Sequence, residues 1–224
     1  MRGLFGVILG CFLVAHGAVL VAQPAVSSWQ GQIQDEDRGR LAGLWRSWTR
    51  AISDIEAGGA GANLRALGVV GVPPVEPLPG RPDMLELGRL PGAGVYQCRI
   101  IRMGLRDDGW PRDDGQPLTL GEWGPCNIGA GPRDTESFDM LAGAQRVHGR
   151  LWADGDRMVF LGALALASET GIRRYGDDPD RDAIGVLRPV GDGHWRLELP
   201  WPRWQSNLML VEIISPGTPV AEGG

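Results

Sequence analysis

The chain has 224 residues, 43% hydrophobic and 22% charged, which suits one globular domain and excludes a chain disordered throughout. Its 35 Gly and 17 Pro follow no three-residue period, which excludes collagen and argues against a mostly helical protein. All 22 basic residues are Arg, and against 27 acids they leave a net charge of -5, so no nucleic-acid partner is expected.

Met1-Arg2-Gly3 is a short positive start. Residues 4–21 are apolar apart from His16 and several Gly, and Ala22 or Ala25 offers a small residue for cleavage. This order predicts a signal peptide over residues 1–22 and secretion to the periplasm. A retained anchor needs about 20 apolar residues, and His16 and the Gly residues weaken this one. Ile8-Leu9-Gly10-Cys11 loosely matches a lipobox, yet Phe12-Leu13-Val14-Ala15 stays apolar where a lipoprotein linker is polar. The membrane is therefore a partner only if this segment is retained or lipidated. Cleavage removes one Arg and no acid, which takes the net charge from -5 to -6.

Residues 23–34 form a short mature N-terminal segment, and residues 35–58 read as one amphipathic helix. Asp35 is a good N-cap, with Glu36 and Asp37 beside the positive end of the helix dipole. Leu41, Leu44, Trp45, Trp48, Ile52 and Ile55 recur at spacings of three or four, and Gly58-Gly59 ends the run. Arg40, Arg46 and Arg50 with two Trp would suit a membrane-surface helix, but the acids at both ends favour packing on the rest of the protein. Residues 59–93 are a Gly/Pro-rich linker with a short helical turn near 63–67. Five prolines between Gly71 and Pro82 keep the chain extended there.

From Gly94 the period changes to two. Strands are expected over 95–103, around Cys126-Asn127-Ile128, and over 138–142, 147–151, 158–167, 184–190, 194–199 and 208–214. Asp154-Gly155 and Gly191-Asp192-Gly193 are turn signals. These eight or so strands make residues 94–216 a β-rich domain, with 217–224 a flexible tail. The class is mainly β with an N-terminal amphipathic helix (α+β), as an antiparallel barrel resembling lipocalin-type calycins; the alternative is a twisted sheet or sandwich. Cys98 and Cys126 remain after cleavage, and an exported pair reads as one disulfide, two buried free thiols being the alternative.

Chemistry-bearing motifs are sparse. His148 and His194 lack cysteine or histidine at metal-ligand spacing, so no metal and no catalytic residue is assigned. Arg146, His148 and Arg150 share one strand face. They would make an anion-attracting wall if that face lined a barrel, and a plain polar surface if it met water. Asp177, Asp178, Asp180 and Asp182 form an oxygen-rich loop, a possible cation site. Pro179 and the missing Gly break the EF-hand pattern, and Arg173, Arg174 and Arg181 suit a salt-bridged turn. Asp107-Asp108 and Asp113-Asp114 flank Trp110-Pro111 in a second polar loop. Trp195 and Trp201, with Trp204 just beyond, could stack on a sugar but sit at strand period, as core residues do. Neither a P-loop, a His-Glu-x-x-His nor a Gly-x-Ser-x-Gly elbow occurs, so no cofactor is expected.

Gly149-Arg150-Leu151, residues 157–162, Tyr175-Gly176, Asp178-Pro179, Arg181-Asp182 and Gly185 share a pattern with one bacterial family. Trp195-Arg196-Leu197, Leu199-Pro200, Val211-Glu212 and Tyr96-x-Cys98-Arg99 extend it. The chain resembles the domain of unknown function 4893 family over roughly residues 35–216. The resemblance implies an exported alphaproteobacterial protein and one continuous unit, and it brings no activity, cofactor or catalytic residue. Gly124 departs from an aromatic expected two positions before Cys126. The leading expectation is non-enzymatic binding of a small apolar or anionic ligand by the barrel, through Arg146, His148 and Arg150. An envelope protein-interaction module without a ligand is the alternative. A hydrolase using the acidic loop and His148 has no motif behind it. A filled core with an exposed Trp would favour a protein partner, and an Arg-lined cavity a ligand.

Overall fold

The computed structural model describes residues 28–73, 89–106, 115–132, 135–169, 171, 173–203 and 206–217. The expected signal peptide, most of the proline stretch, the loop around Trp110, Trp204 and most of the expected tail lie outside the described residues.

The period-two pattern builds nine strands: β1 Gly94–Met103, β2 Leu118–Leu120, β3 Gly124–Ala130, β4 Glu136–Met140, β5 Gln145–Asp154, β6 Arg157–Leu166, β7 Asp182–Gly191, β8 His194–Pro200 and β9 Leu208–Ile214. From β3 to β9 each strand pairs antiparallel with the next. β9 then returns to β1, from Gln97↔Ile214 to Met103↔Leu208. On its other edge β1 pairs with β3 from Gly94↔Ile128 to Cys98↔Gly124, and with β2 from Ile101↔Leu120 to Met103↔Leu118. The sheet is a closed eight-strand antiparallel barrel, and the short β2 continues its wall beyond the end of β3.

Closing eight strands leaves an interior just wide enough for side chains to fill. Tyr96, Cys98, Phe138, Leu151, Phe160 and Leu197 are among those packed there. Phe138 and Phe160 meet edge to face, with ring centroids 6.2 Å apart. Gly162 makes room for them: a Cβ there would lie 2.3 Å from Phe160 Cζ and 2.2 Å from the His148 carbonyl. Cys98 and Cys126 are bonded, with Cα atoms 5.8 Å apart, and both are fully buried. Gly124, the departure from the family pattern, lies opposite Cys98, and a Cβ there would lie 3.0 Å from Ala142 Cβ.

The single expected helix is two: α1 Asp35–Ala42 and α2 Leu44–Ala57, broken at Gly43. The N-cap is Gln34 rather than Asp35, which falls within the first turn. At Gly43 a Cβ would lie 3.2 Å from the Gly39 carbonyl and 3.3 Å from Trp201 Nε1, so the indole sits against the break. Trp201 holds a φ of 47°, a strained conformation for a residue with a side chain. A third helix, α3 Gly61–Ala66, follows the turn at Gly59, whose φ is 74°.

α2 lies on the outer wall of the barrel. Leu44, Trp48, Ala51 and Ile55 bury themselves against Ile101, Met103, Leu208 and Leu210. A fully buried side chain of Leu or Ile size contributes roughly 1.5–3 kcal/mol, so this stripe is spent on the barrel rather than on a membrane surface.

Candidate functional site

Alternation decides where each candidate residue faces. On β5, Val147 and Leu151 point into the barrel. Arg146, His148 and Arg150 therefore lie on the outer face, so the Arg-His-Arg row does not line the interior. Arg146 Nη2 donates to the carbonyls of Leu166 (3.1 Å) and Glu169 (2.9 Å). His148 is buried, and its Nε2–H donates to the Arg173 carbonyl at 2.7 Å. Arg150 is exposed. Two of the three thus hold the segment that follows β6.

The acidic loop folds as a hydrogen-bonded turn. Asp177 Oδ2 accepts from the Arg174 amide (2.9 Å) and Asp178 Oδ1 from the Asp180 amide (3.1 Å). Asp178 Oδ2 also meets Arg173 Nη1 at 2.9 Å. Asp182 Oδ1 accepts from the Gly176 amide at 2.9 Å. Among the described residues no group of three or more His, Cys, Asp or Glu stands together as a metal cage.

Two charged clusters invisible in the sequence tie the outer elements to the barrel, and a third braces the barrel wall itself. Between α1 and β7, Arg40 Nη1 donates to Asp37 Oδ1 (2.7 Å) and to the Asp182 carbonyl (3.1 Å). The Tyr175 hydroxyl donates to Asp37 Oδ2 at 2.5 Å and accepts from the Gln34 amide at 3.0 Å. Burial, then the Asp37 hydrogen bond, pushes the Tyr175 phenol well above its ordinary range.

Under α2, Arg196 donates through Nε and Nη2 to Glu198 Oε1 at 2.9 and 2.7 Å, and both residues are almost fully buried. Trp48 Nε1 donates to Glu198 Oε2 at 3.3 Å, and the Arg196 guanidinium lies 4.7 Å from the Trp48 ring centroid. Arg196 Nη1 reaches on to the Val70 and Val72 carbonyls at 2.9 and 2.6 Å. On the wall of β1, β8 and β9, Glu212 accepts from Arg99 Nε (2.6 Å) and contacts His194 Nε2 (2.8 Å). Arg99 also stacks over Trp123 at 4.6 Å. His194 is thus bonded to Glu212.

Among the described residues the outward flank of α2 is one apolar surface left uncommitted, and Val95, Leu120 and Leu141 are exposed elsewhere. Trp45, included above in the apolar stripe, is 59% exposed, and Val72 is 54% exposed. Trp45, Thr49, Ile52, Ser53, Glu56 and Pro73 line a shallow groove of about 280 Å³, room for one large side chain. Trp45, Ile52 and Pro73 give it apolar surface, Thr49 and Ser53 give hydroxyls, and Glu56 adds a carboxylate. Among the described residues no helix is long and apolar enough to cross a membrane.

Neither a curated protein nor a solved structure matches the chain. A family model does, from the 3-10 turn at Trp29–Gly31 through most of β9: the domain of unknown function DUF4893 matches residues 29–213, and the chain belongs to that family.

Proposed function

We propose that this protein is an exported envelope module that holds a partner protein through the outer flank of α2, without a small-molecule ligand. The observation that carries the reading is Trp45, 59% exposed on a helix whose other large apolar side chains are buried or half-buried. Exposed aromatics beside a groove are characteristic anchors of protein interfaces. Charge sets the partner's chemistry: Glu56 in the lining suits a segment that inserts an apolar side chain and brings a Lys or Arg beside it. The barrel interior, packed with side chains and a disulfide, favours this reading over a ligand held inside. A cleaved signal peptide over residues 1–22 and a periplasmic location belong to the same proposal, and a buried disulfide suits an oxidising compartment.

The test is site-specific photocrosslinking in the producing cell. A benzoylphenylalanine at Thr49 is expected to capture a discrete partner band that is lost when Trp45→Ala or Glu56→Arg is added. The same probe at Arg150, on the outer face of β5, should give no such band. Equal capture from both positions, or capture indifferent to Trp45, would sink the proposal.

A further inference from the structure

Asp182 opens β7 and is 2% exposed, yet its carboxylate is only half satisfied. Oδ1 accepts from the Gly176 amide at 2.9 Å, while Oδ2 is buried with no donor. The residues around it do not complete it. From α1, Asp37 brings a second buried carboxylate, and Arg40 spends Nη1 on Asp37 Oδ1 and on the Asp182 backbone carbonyl. Arg40 Nη2 faces the Pro200 carbonyl at 3.5 Å. From the preceding loop, the Tyr175 hydroxyl donates to Asp37, and Asp178 adds another negative charge. Arg203 stands near Arg40 and is paired with Glu36 at 2.7 Å. On β6 the residue opposite Asp182 is Ala163, and His148, next in that row, donates its Nε2–H to the Arg173 carbonyl.

We propose that Asp182 makes the joint between α1 and the barrel acid-responsive: a proton on Asp182 fastens α1 to β7, and losing it loosens α1. Ionised, Asp182 buries a charge repelled by Asp37, with one oxygen unmet, and each of these costs free energy. Protonation removes the repulsion and the cost of a buried charge. Burial is also the largest influence on its acidity, and it raises the carboxyl above the ordinary range for Asp. A folded-state pKa raised above the unfolded one contributes stability that is present at low pH and lost as pH rises through the folded value. The joint is therefore tighter in acid.

Hydrogen exchange of the full chain between pH 4.5 and 7.5, corrected for intrinsic rates, tests this locally. The reporters are the amides of Arg38 and Gly43, bonded to the Gln34 and Gly39 carbonyls. Their protection is expected to fall as pH rises, by up to about tenfold for each unit by which the Asp182 pKa is raised. In Asp182→Asn the protection at pH 7.5 should increase and the pH dependence should flatten, while Glu169→Gln, outside the joint, keeps the native dependence. Protection independent of pH in the native chain, or an unchanged dependence in Asp182→Asn, overturns the proposal. Should Asp182→Asn fail to fold, carbon NMR titration of Asp182 in the native chain decides. A midpoint above the ordinary Asp value supports the proposal, and one at or below it refutes it.

Discussion

Replacing both Cys98 and Cys126 with Ala removes the cross-link between the two strands where β1 and β3 meet. The cysteines are 28 residues apart in sequence, so the chain-entropy relation gives a loss of about 3.6 kcal/mol. Both side chains are fully buried among apolar neighbours, and the void left by two sulfurs adds on the order of 1 kcal/mol. With a urea slope of about 2 kcal/mol/M, the unfolding midpoint should drop by roughly 2 M. A second readout separates the buried bond from a merely present one. A thiol reductant must wait for unfolding to reach a fully buried disulfide, so its rate in native buffer should rise with urea in step with the unfolding rate. A midpoint change under about 0.5 M, or rapid reduction indifferent to urea, would refute the reasoning.

Other consequences follow from the buried charges and the close packing of the barrel. Glu198→Ala strands the Arg196 guanidinium in a dry site and should cost about 3–5 kcal/mol in urea unfolding. Arg157→Ala, at the more exposed Asp154 pair, should cost under about 1 kcal/mol, and equal losses would contradict the burial argument. Gly162→Ala forces a methyl against Phe160 and the His148 carbonyl; its unfolding free energy should fall by at least the roughly 1–3 kcal/mol typical of overpacking, and an unchanged midpoint would mean that the barrel relaxes freely. Burial raises the Glu136 carboxyl above its ordinary value, so its charged form opposes folding. Glu136→Gln should raise the melting temperature at pH 7 but not below about pH 4, where the native residue is protonated as well.

Much of the fold was legible because it is written in local periodicity. Alternation places Val147 and Leu151 on one face of β5, and that holds whatever the strand pairs with. Every expected strand reappears and the two cysteines are paired, but β3 and β5 run well past the expected 126–128 and 147–151, and β4 begins two residues before the expected 138. What was not legible depends on partners far away in sequence. At 100° per residue, the buried stripe of α2 centres between Leu44 and Ile55, which leaves Trp45 on the flank. The spacing alone could not say how wide a strip the barrel would cover. Gly43 reads as a tolerable residue inside a helix until Trp201 is brought against it. The three-residue β2 was missed because so short a segment carries no alternation to read.

The candidate site shows the same division. Arg146, His148 and Arg150 were correctly grouped on one face, but only closure of the barrel decides that this face looks outward. The acidic loop was recognisable as a turn, whereas the contact of Tyr175 with Asp37 spans 138 residues and that of Trp48 with Glu198 spans 150. Sequence by itself determined the β-rich class, the amphipathic helix, the disulfide candidate and the family pattern, since each rests on spacing along the chain. Tertiary structure alone decided that the interior is filled, that Trp45 is exposed, and which carboxylate meets which arginine. Those outcomes depend on which surfaces the closed barrel buries, and burial is a property of the assembled chain rather than of any stretch of it.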